Sequence, residues 1–216
     1  MHLTFDKTLN LHLTHDGQLL ATASLGLYRG ADYLLTRFQN ITYTENRATG
    51  TLHLENEGRL DFQLSYQTPR ENVLLLELTF TNPGPTPISF DRVLAPTLHL
   101  NRDAFPPAQP LWTMQGAAVF WGQDFAFPLH ESTRSRGFAR ENFLGHLQDG
   151  EGGGIPVVYF WNQARGLAMM HLAPTPQDWY MPVKSGKEGI TAAFELRHPI
   201  TLAPGESFEC LPVLLS

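Results

Sequence analysis

Hydrophobic and polar residues alternate along much of the chain. In Leu9-Asn10-Leu11-His12-Leu13-Thr14 the leucines recur at every second position, a spacing that places them on one face of a β-strand. The same alternation predicts further strands at 51–54, 60–64 and 74–81. Between them, Asp16-Gly17 favours a tight hairpin turn, and 82–87, which contains three prolines, favours a loop.

The second half of the chain shows the same pattern. Strands are predicted over 155–161 and 167–172, joined as a hairpin by a short connection that ends at Gly166. Strands at 190–196 and 208–214 are predicted to be joined in a similar way through 203–206. No window has a helical period over more than about three turns. The chain is therefore predicted to be all-β, an antiparallel sandwich that forms one domain over residues 1–216.

Residues 101–154 depart from this pattern. They combine prolines, aromatic residues, charges of both signs and a glycine run, and only 114–120 in this stretch resembles a strand. A connection of this length in a compact sheet protein is usually functional or disordered. Its aromatic content favours a functional, ordered excursion.

Composition narrows the classes of partner. The formal net charge is −6 and lysines and arginines do not cluster, which argues against nucleic acid and anionic membranes. No apolar run is long enough to span a membrane, and the first residues lack a secretory pattern, so a cytoplasmic location is expected. Cys210 is the single cysteine, which rules out an intrachain disulfide and predicts a buried core residue.

Tests for chemistry are negative for most classes of site. There is no Gly-x-Ser-x-Gly nucleophile elbow, and Gly150–Gly154 leads into a predicted strand instead of opening a phosphate-binding helix. His12 and His15 have an odd spacing, which sends strand side chains to opposite faces and prevents a shared metal. The sequence therefore predicts no metal and no cofactor.

Acidic and aromatic residues of the 101–154 stretch leave two alternatives open. A pair of carboxylates could cleave a glycosidic bond, or all of them could be solvated; they are Asp124, Glu131, Glu141, Asp149 and Glu151. The aromatic residues could stack on sugar rings or anchor the stretch to the sandwich; they are Trp112, Phe120, Trp121, Phe125 and Phe127. Trp121 is the strongest candidate for stacking, because Gly122 and Asp124 follow it.

Several segments together resemble a known family. These are 121–125 (WGQDF), 138–145 (FARENFLG), 152–161 (GGGIPVVYFW), 165–172 (RGLAMMHL), 182–184 (PVK) and 202–208 (LAPGESF). In this order they resemble the N-terminal domain of bacterial α-galactosidase-like glycoside hydrolases of family thirty-six, the melibiase-like enzymes. The resemblance extends over about 111–214 and implies an antiparallel β-supersandwich of the galactose-mutarotase-like type.

The resemblance also implies a function. In that family a (β/α)8 barrel follows the sandwich and carries both catalytic aspartates, and that barrel is absent from this chain. The chain is therefore expected to be a non-catalytic accessory domain that supports the barrel, contributes to a homo-oligomer and forms one wall of a galactoside pocket. By position, the family's long loop implicates Trp121, Asp124 and Asn142 in substrate binding.

Two other functions remain open. A free-standing sugar mutarotase or epimerase uses a similar supersandwich and needs histidines with a glutamate on one sheet face; the candidates are His99, His171 and Glu195. A carbohydrate-binding module would instead bind sugar through Trp121.

Overall fold

The computed structural model describes residues 1–6, 9–33, 37–54, 58–105, 110–116, 125–129, 138–140, 143–144, 157–172, 179–187 and 189–216. These residues form β-strands and one short 3₁₀ helix, Arg102–Ala104, and contain no α-helix. The strands are β1 (His2–Phe5), β2 (Leu11–His15), β3 (Gln18–Arg29), β4 (Asp32–Tyr33), β5 (Arg37–Tyr43), β6 (Arg47–Leu54), β7 (Gly58–Arg70), β8 (Val73–Thr81), β9 (Ile88–Phe90), β10 (Arg92–Leu100), β11 (Leu111–Gln115), β12 (Phe125–Leu129), β13 (Phe138–Arg140), β14 (Phe143–Leu144), β15 (Val157–Trp161), β16 (Gly166–His171), β17 (Trp179–Tyr180), β18 (Val183–Gly186), β19 (Gly189–Leu196), β20 (Ile200–Leu202) and β21 (Ser207–Leu215).

Two large antiparallel sheets contain nearly all of these strands. The ten-stranded sheet has the order β1-β2-β3-β10-β19-β17-β14, with β4 paired to β3, and with β18 paired to both β19 and β13. The nine-stranded sheet has the order β12-β11-β15-β16-β21-β8-β7-β6-β5, and β9 pairs with β20 in a separate ribbon. The prediction of an all-β antiparallel fold is confirmed.

The two sheets pack face to face. A small cavity between them is lined by Leu11 and Leu25 of the ten-stranded sheet and by Leu76, Cys210 and Val213 of the nine-stranded sheet. Alternation along each strand supplies this core, because every second side chain points inward. Cys210 is a buried core residue, as predicted, and burial raises the pKa of its thiol above the usual range.

Local turn chemistry explains two hairpins. Asp16 and Gly17 both have positive φ angles, 50° and 75°, which matches the tight turn that Asp-Gly favours and joins β2 to β3. Strands β15 and β16 pair in antiparallel register, so the predicted hairpin is confirmed. In its connection, the Asn162 side-chain oxygen accepts hydrogen bonds from the backbone N–H groups of Ala164 and Arg165.

The predicted hairpin between 190–196 and 208–214 is wrong. Strand β19 lies in the ten-stranded sheet, whereas β21 lies in the nine-stranded sheet. Both edges of β19 are already occupied, by β10 on one side and by β17 and β18 on the other. No free edge remains for β21, and the chain pairs through β20 with β9 before it crosses to the second sheet.

The stretch 101–154 contains more sheet than the sequence predicts. Its described parts form β11 and β12 in the nine-stranded sheet and β13 and β14 in the ten-stranded sheet. The strand predicted at 114–120 is found at Leu111–Gln115, and 117–120 lie outside the described residues. Strands β13 and β14 span only three and two residues, too few to show alternation, and they depend on pairing with β18 and β17.

Candidate functional site

A groove of about 260 Å³ lies on the outer face of the ten-stranded sheet. Leu94 and Thr97 on β10 face it together with Thr191 and Glu195 on β19, because cross-strand partners share one face of a sheet. The pairs Leu94–Glu195 and Thr97–Ala193 confirm the shared face. The lining residues, which define the outer groove, are Tyr28, Arg92, Leu94, Thr97, Pro182, Lys184, Thr191, Ala193 and Glu195.

Glu195 lies at the centre of a charged cluster beside this groove. Its side chain is only 6% exposed, and Arg197 donates a hydrogen bond from Nη2 to Oε2 at 2.8 Å. Arg92 Nη1 lies 3.5 Å from the other oxygen, Oε1. A buried carboxylate is costly unless it is paired, and here both oxygens have a guanidinium partner.

Two tyrosine rings hold these arginines in place. The Arg92 guanidinium lies 3.9 Å from the centre of the Tyr28 ring, and the Arg197 guanidinium lies 4.0 Å from the centre of the Tyr180 ring. Each arginine is therefore fixed by an ion pair and by a cation–π contact. The cluster links β3, β10, β17 and β19 and presents positive charge to the groove.

The histidines nominated with Glu195 do not join it. His171 is 1% exposed and lies between the sheets, with its ring 5.4 Å from that of Phe194. Since neighbouring strand residues point to opposite faces, Phe194 and His171 lie on the opposite side of the sheet from Glu195. Burial lowers the pKa of His171 to about 4.

His99 lies on the same outer face as Glu195 but away from its carboxylate. It pairs with Thr191, four residues from Glu195, which corresponds to roughly 13 Å along a strand. Its Nε2 lies 3.4 Å from Ser24 Oγ. The predicted trio of His99, His171 and Glu195 is therefore not brought together, and that assignment of a catalytic site is wrong.

The predicted substrate-binding residues Trp121, Asp124 and Asn142 lie outside the described residues, as do the five nominated carboxylates. Described strands nevertheless flank position 142 in the sequence. Arg140 pairs with Val183 of β18 and Phe143 pairs with Tyr180 of β17, so both flanking strands lie one strand further from β19 than β18 and β17.

A second surface lies on the outer face of the nine-stranded sheet. The Tyr159 and Trp161 rings stack at 5.0 Å between centroids, and Trp161 stacks on Trp112 at 6.2 Å. Tyr159 is 37% exposed. Its ring crosses Gly166, where an added Cβ would clash with the tyrosine hydroxyl. The aromatic patch comprises the outward-facing, partly exposed residues Trp112, Met114, Tyr159, Trp161 and Met170.

Sequence reasoning missed Arg92 and Tyr28 of the groove, and Arg197 and Tyr180 of the charged cluster beside it. Only one local signal was available, the i, i+2 spacing of Glu195 and Arg197 at the end of a strand. The other contacts join strands that are far apart in the sequence. Within the described ranges, no group of three or more histidine, cysteine or acidic side chains could hold a metal ion. None of the described residues forms a helix that could cross a membrane.

The fold defines the class of this chain as an all-β, galactose-mutarotase-like sandwich. No protein-family model and no curated protein sequence matches it. Solved structures do match. The family 36 α-galactosidase AgaA of Geobacillus stearothermophilus, in complex with stachyose, has 17% identity and a TM-score of 0.51, and the match covers 91% of this chain and 27% of that chain.

Two further structures show the breadth of the likeness. The α-galactosidase of Lactobacillus brevis has 14% identity and a TM-score of 0.55, with 93% of this chain and 28% of that chain covered. A galactose mutarotase related enzyme of Lactobacillus acidophilus has 9% identity and a TM-score of 0.56, with 96% and 89% covered. The chain thus spans about a quarter of the α-galactosidases and most of the mutarotase-related enzyme. At these identities the likeness establishes the fold.

Proposed function

We propose that this chain serves as the non-catalytic β-sandwich domain of an α-galactosidase-like glycoside hydrolase and docks against its catalytic barrel. More than nine-tenths of the chain matches a part of these enzymes that is about a quarter of their length. In this proposal the galactoside is the substrate of the barrel, and the sandwich stabilises the enzyme and its homo-oligomer.

The aromatic patch carries the proposal. Monomeric soluble proteins rarely expose contiguous apolar patches larger than a few hundred Å², and aromatic and methionine side chains are enriched in protein interfaces. Trp112, Trp161 and Tyr159 form one stacked row on the outer face of the nine-stranded sheet. This row gives a rigid, amphipathic surface of the kind that a neighbouring domain buries.

The test uses the natural coding sequence with an N-terminal affinity tag, expressed in its source cell and purified under native conditions. Mass spectrometry is expected to find a (β/α)8 glycoside hydrolase barrel, either in the same polypeptide or tightly bound to it. Trp161→Asp, which places a charge in the patch, should make the sandwich separable from the barrel by limited proteolysis. Recovery of the chain with no barrel would contradict the proposal.

Thr22→Asp is the matched control. Thr22 lies on the outer face of the other sheet, opposite His12 and His99, so this change adds the same charge away from the patch. The control should leave the sandwich and the barrel together. Separation by both variants would show that the added charge acts through general destabilisation and would contradict the docking role of the patch.

A second candidate function is a sugar mutarotase-like activity. The observation that favours it is the match to the mutarotase-related enzyme, which extends over 89% of that protein. The described groove offers Glu195 as its carboxylate, and both oxygens of that carboxylate are engaged by arginines.

A further inference from the structure

The outer groove is positively charged on an acidic protein. The whole chain has a formal net charge of −6. Among the described residues that line the groove or pair with Glu195, three are cations, Arg92, Lys184 and Arg197, and Glu195 is the one carboxylate. Their sum is a local charge of about +2, which attracts anions and repels cations.

Hydrogen-bond donors in the groove outnumber acceptors. A guanidinium has five N–H donors, and the contacts of Arg92 within the described residues are its ion pair to Glu195 and its stacking on Tyr28. Its Nε is buried without an acceptor there. Lys184 is exposed, with no ion-pair partner in the described part of the chain.

The carboxylate that lines the groove is already engaged. Both oxygens of Glu195 pair with arginines, so this carboxylate is less available to accept protons from the hydroxyl groups of a neutral sugar. A phosphate or carboxylate group brings only acceptors and suits a donor-rich site. The volume of about 260 Å³ lies just below the roughly 300–1,000 Å³ of sites for drug-sized ligands, and thus fits a ligand the size of one sugar ring.

We propose that the outer groove binds the oxyanion of a monosaccharide phosphate or a monosaccharide carboxylate. Lys184 and Arg92 contact the oxyanion, and the hydroxyl groups of Thr97 and Thr191 complete the site. Glu195 does not touch the ligand; by pairing with Arg92 and Arg197 it keeps both guanidinium groups in position before the ligand arrives.

Isothermal titration calorimetry of the full chain tests this proposal with galactose 6-phosphate, galacturonate, galactose and inorganic phosphate. At least one of the two anionic sugars is expected to bind about tenfold or more tightly than galactose, which is the ratio expected for one charge-assisted hydrogen bond. The affinity should fall as salt is raised. The better ligand of the two identifies the oxyanion. Equal affinity for galactose and both anionic sugars would overturn the proposal.

The variant Lys184→Gln locates the site. It should weaken binding of the preferred anionic sugar by about tenfold. Lys187→Gln removes the same charge three residues away, at an exposed position outside the groove lining, and should leave the affinity unchanged. An unchanged affinity in Lys184→Gln, or equal loss in both variants, would contradict the assignment. Inorganic phosphate that binds as tightly as galactose 6-phosphate would contradict the sugar-sized ligand.

Binding of an anionic sugar in the outer groove does not depend on the accessory role, and the two experiments fail separately. If no anionic sugar binds, the groove assignment is refuted, but the accessory role is not affected. If no barrel is found, the accessory role is refuted, but the groove assignment is not affected.

Discussion

His171 shows how one side chain inside the sandwich responds to its surroundings. Its alternating segment predicts a strand position that is either solvent-facing or satisfied within the core. The structure places it between the sheets against Phe194. Burial penalises the charged imidazolium and lowers the pKa of His171 to about 4, so this histidine is neutral in the folded protein near pH 7.

This shift predicts a pH dependence of stability. The unfolded chain binds a proton at His171 below about pH 6.5, whereas the folded chain does so only near pH 4. The stabilisation that the neutral, buried His171 gives the folded state is therefore complete above pH 6.5. It is lost as the pH falls towards 4, by about 1.4 kcal/mol per pH unit. His171→Leu should reduce the loss of unfolding free energy between pH 7.5 and 5, measured by urea titration and tryptophan fluorescence.

The exposed residue His198 provides the control. His198→Gln should keep the pH dependence of the unmodified chain. If His171→Leu and the unmodified chain lose the same free energy over this pH interval, burial of a neutral histidine is not the cause of the acid sensitivity.

At the scale of elements, β19 connects the core to the outer groove. Its inward residues Ile190, Ala192 and Phe194 are buried, while Thr191 and Glu195 line the groove on the other face. Glu195 pairs with Arg92 at the start of β10 and with Arg197 just beyond β19. The charged cluster therefore links the start of β10 to the end of β19.

Glu195→Gln is expected to destabilise the fold. The amide keeps the shape but removes the charge, leaving two arginines without their carboxylate, at a cost of about 1–3 kcal/mol. Glu71→Gln, at an exposed turn between β7 and β8, should stay within about 0.5 kcal/mol of the unmodified chain. Equal stability of both variants in guanidinium titrations would show that the cluster contributes nothing measurable.

Sequence patterns predicted elements only where the information is local. The Asp16-Gly17 turn and the β15–β16 hairpin follow from adjacent residues. Alternation also located β19 and β21, but their predicted pairing failed because the edges of β19 are taken by strands distant in the sequence. Edge occupancy is a property of the whole sheet, and alternation along one strand does not encode it.

At the scale of the whole molecule, the two outer faces carry different chemistry. One face has the donor-rich groove around Arg92 and Glu195, and the other has the stacked row of Trp112, Trp161 and Tyr159. Sequence reasoning nominated Glu195 and, of the aromatic row, Trp112 alone. It could not place Tyr28 over Arg92, because that contact requires β3 and β10 to pair across more than sixty residues.

The accessory role proposed for this sandwich requires that the chain does not itself accelerate sugar mutarotation, and polarimetry of freshly dissolved α-D-galactose tests this requirement most directly. The optical rotation should relax at the rate of buffer alone, at every concentration of the chain, and Glu195→Gln should give the same rate. A rate that rises in proportion to the chain's concentration and falls in Glu195→Gln would contradict the accessory role and establish a sugar mutarotase.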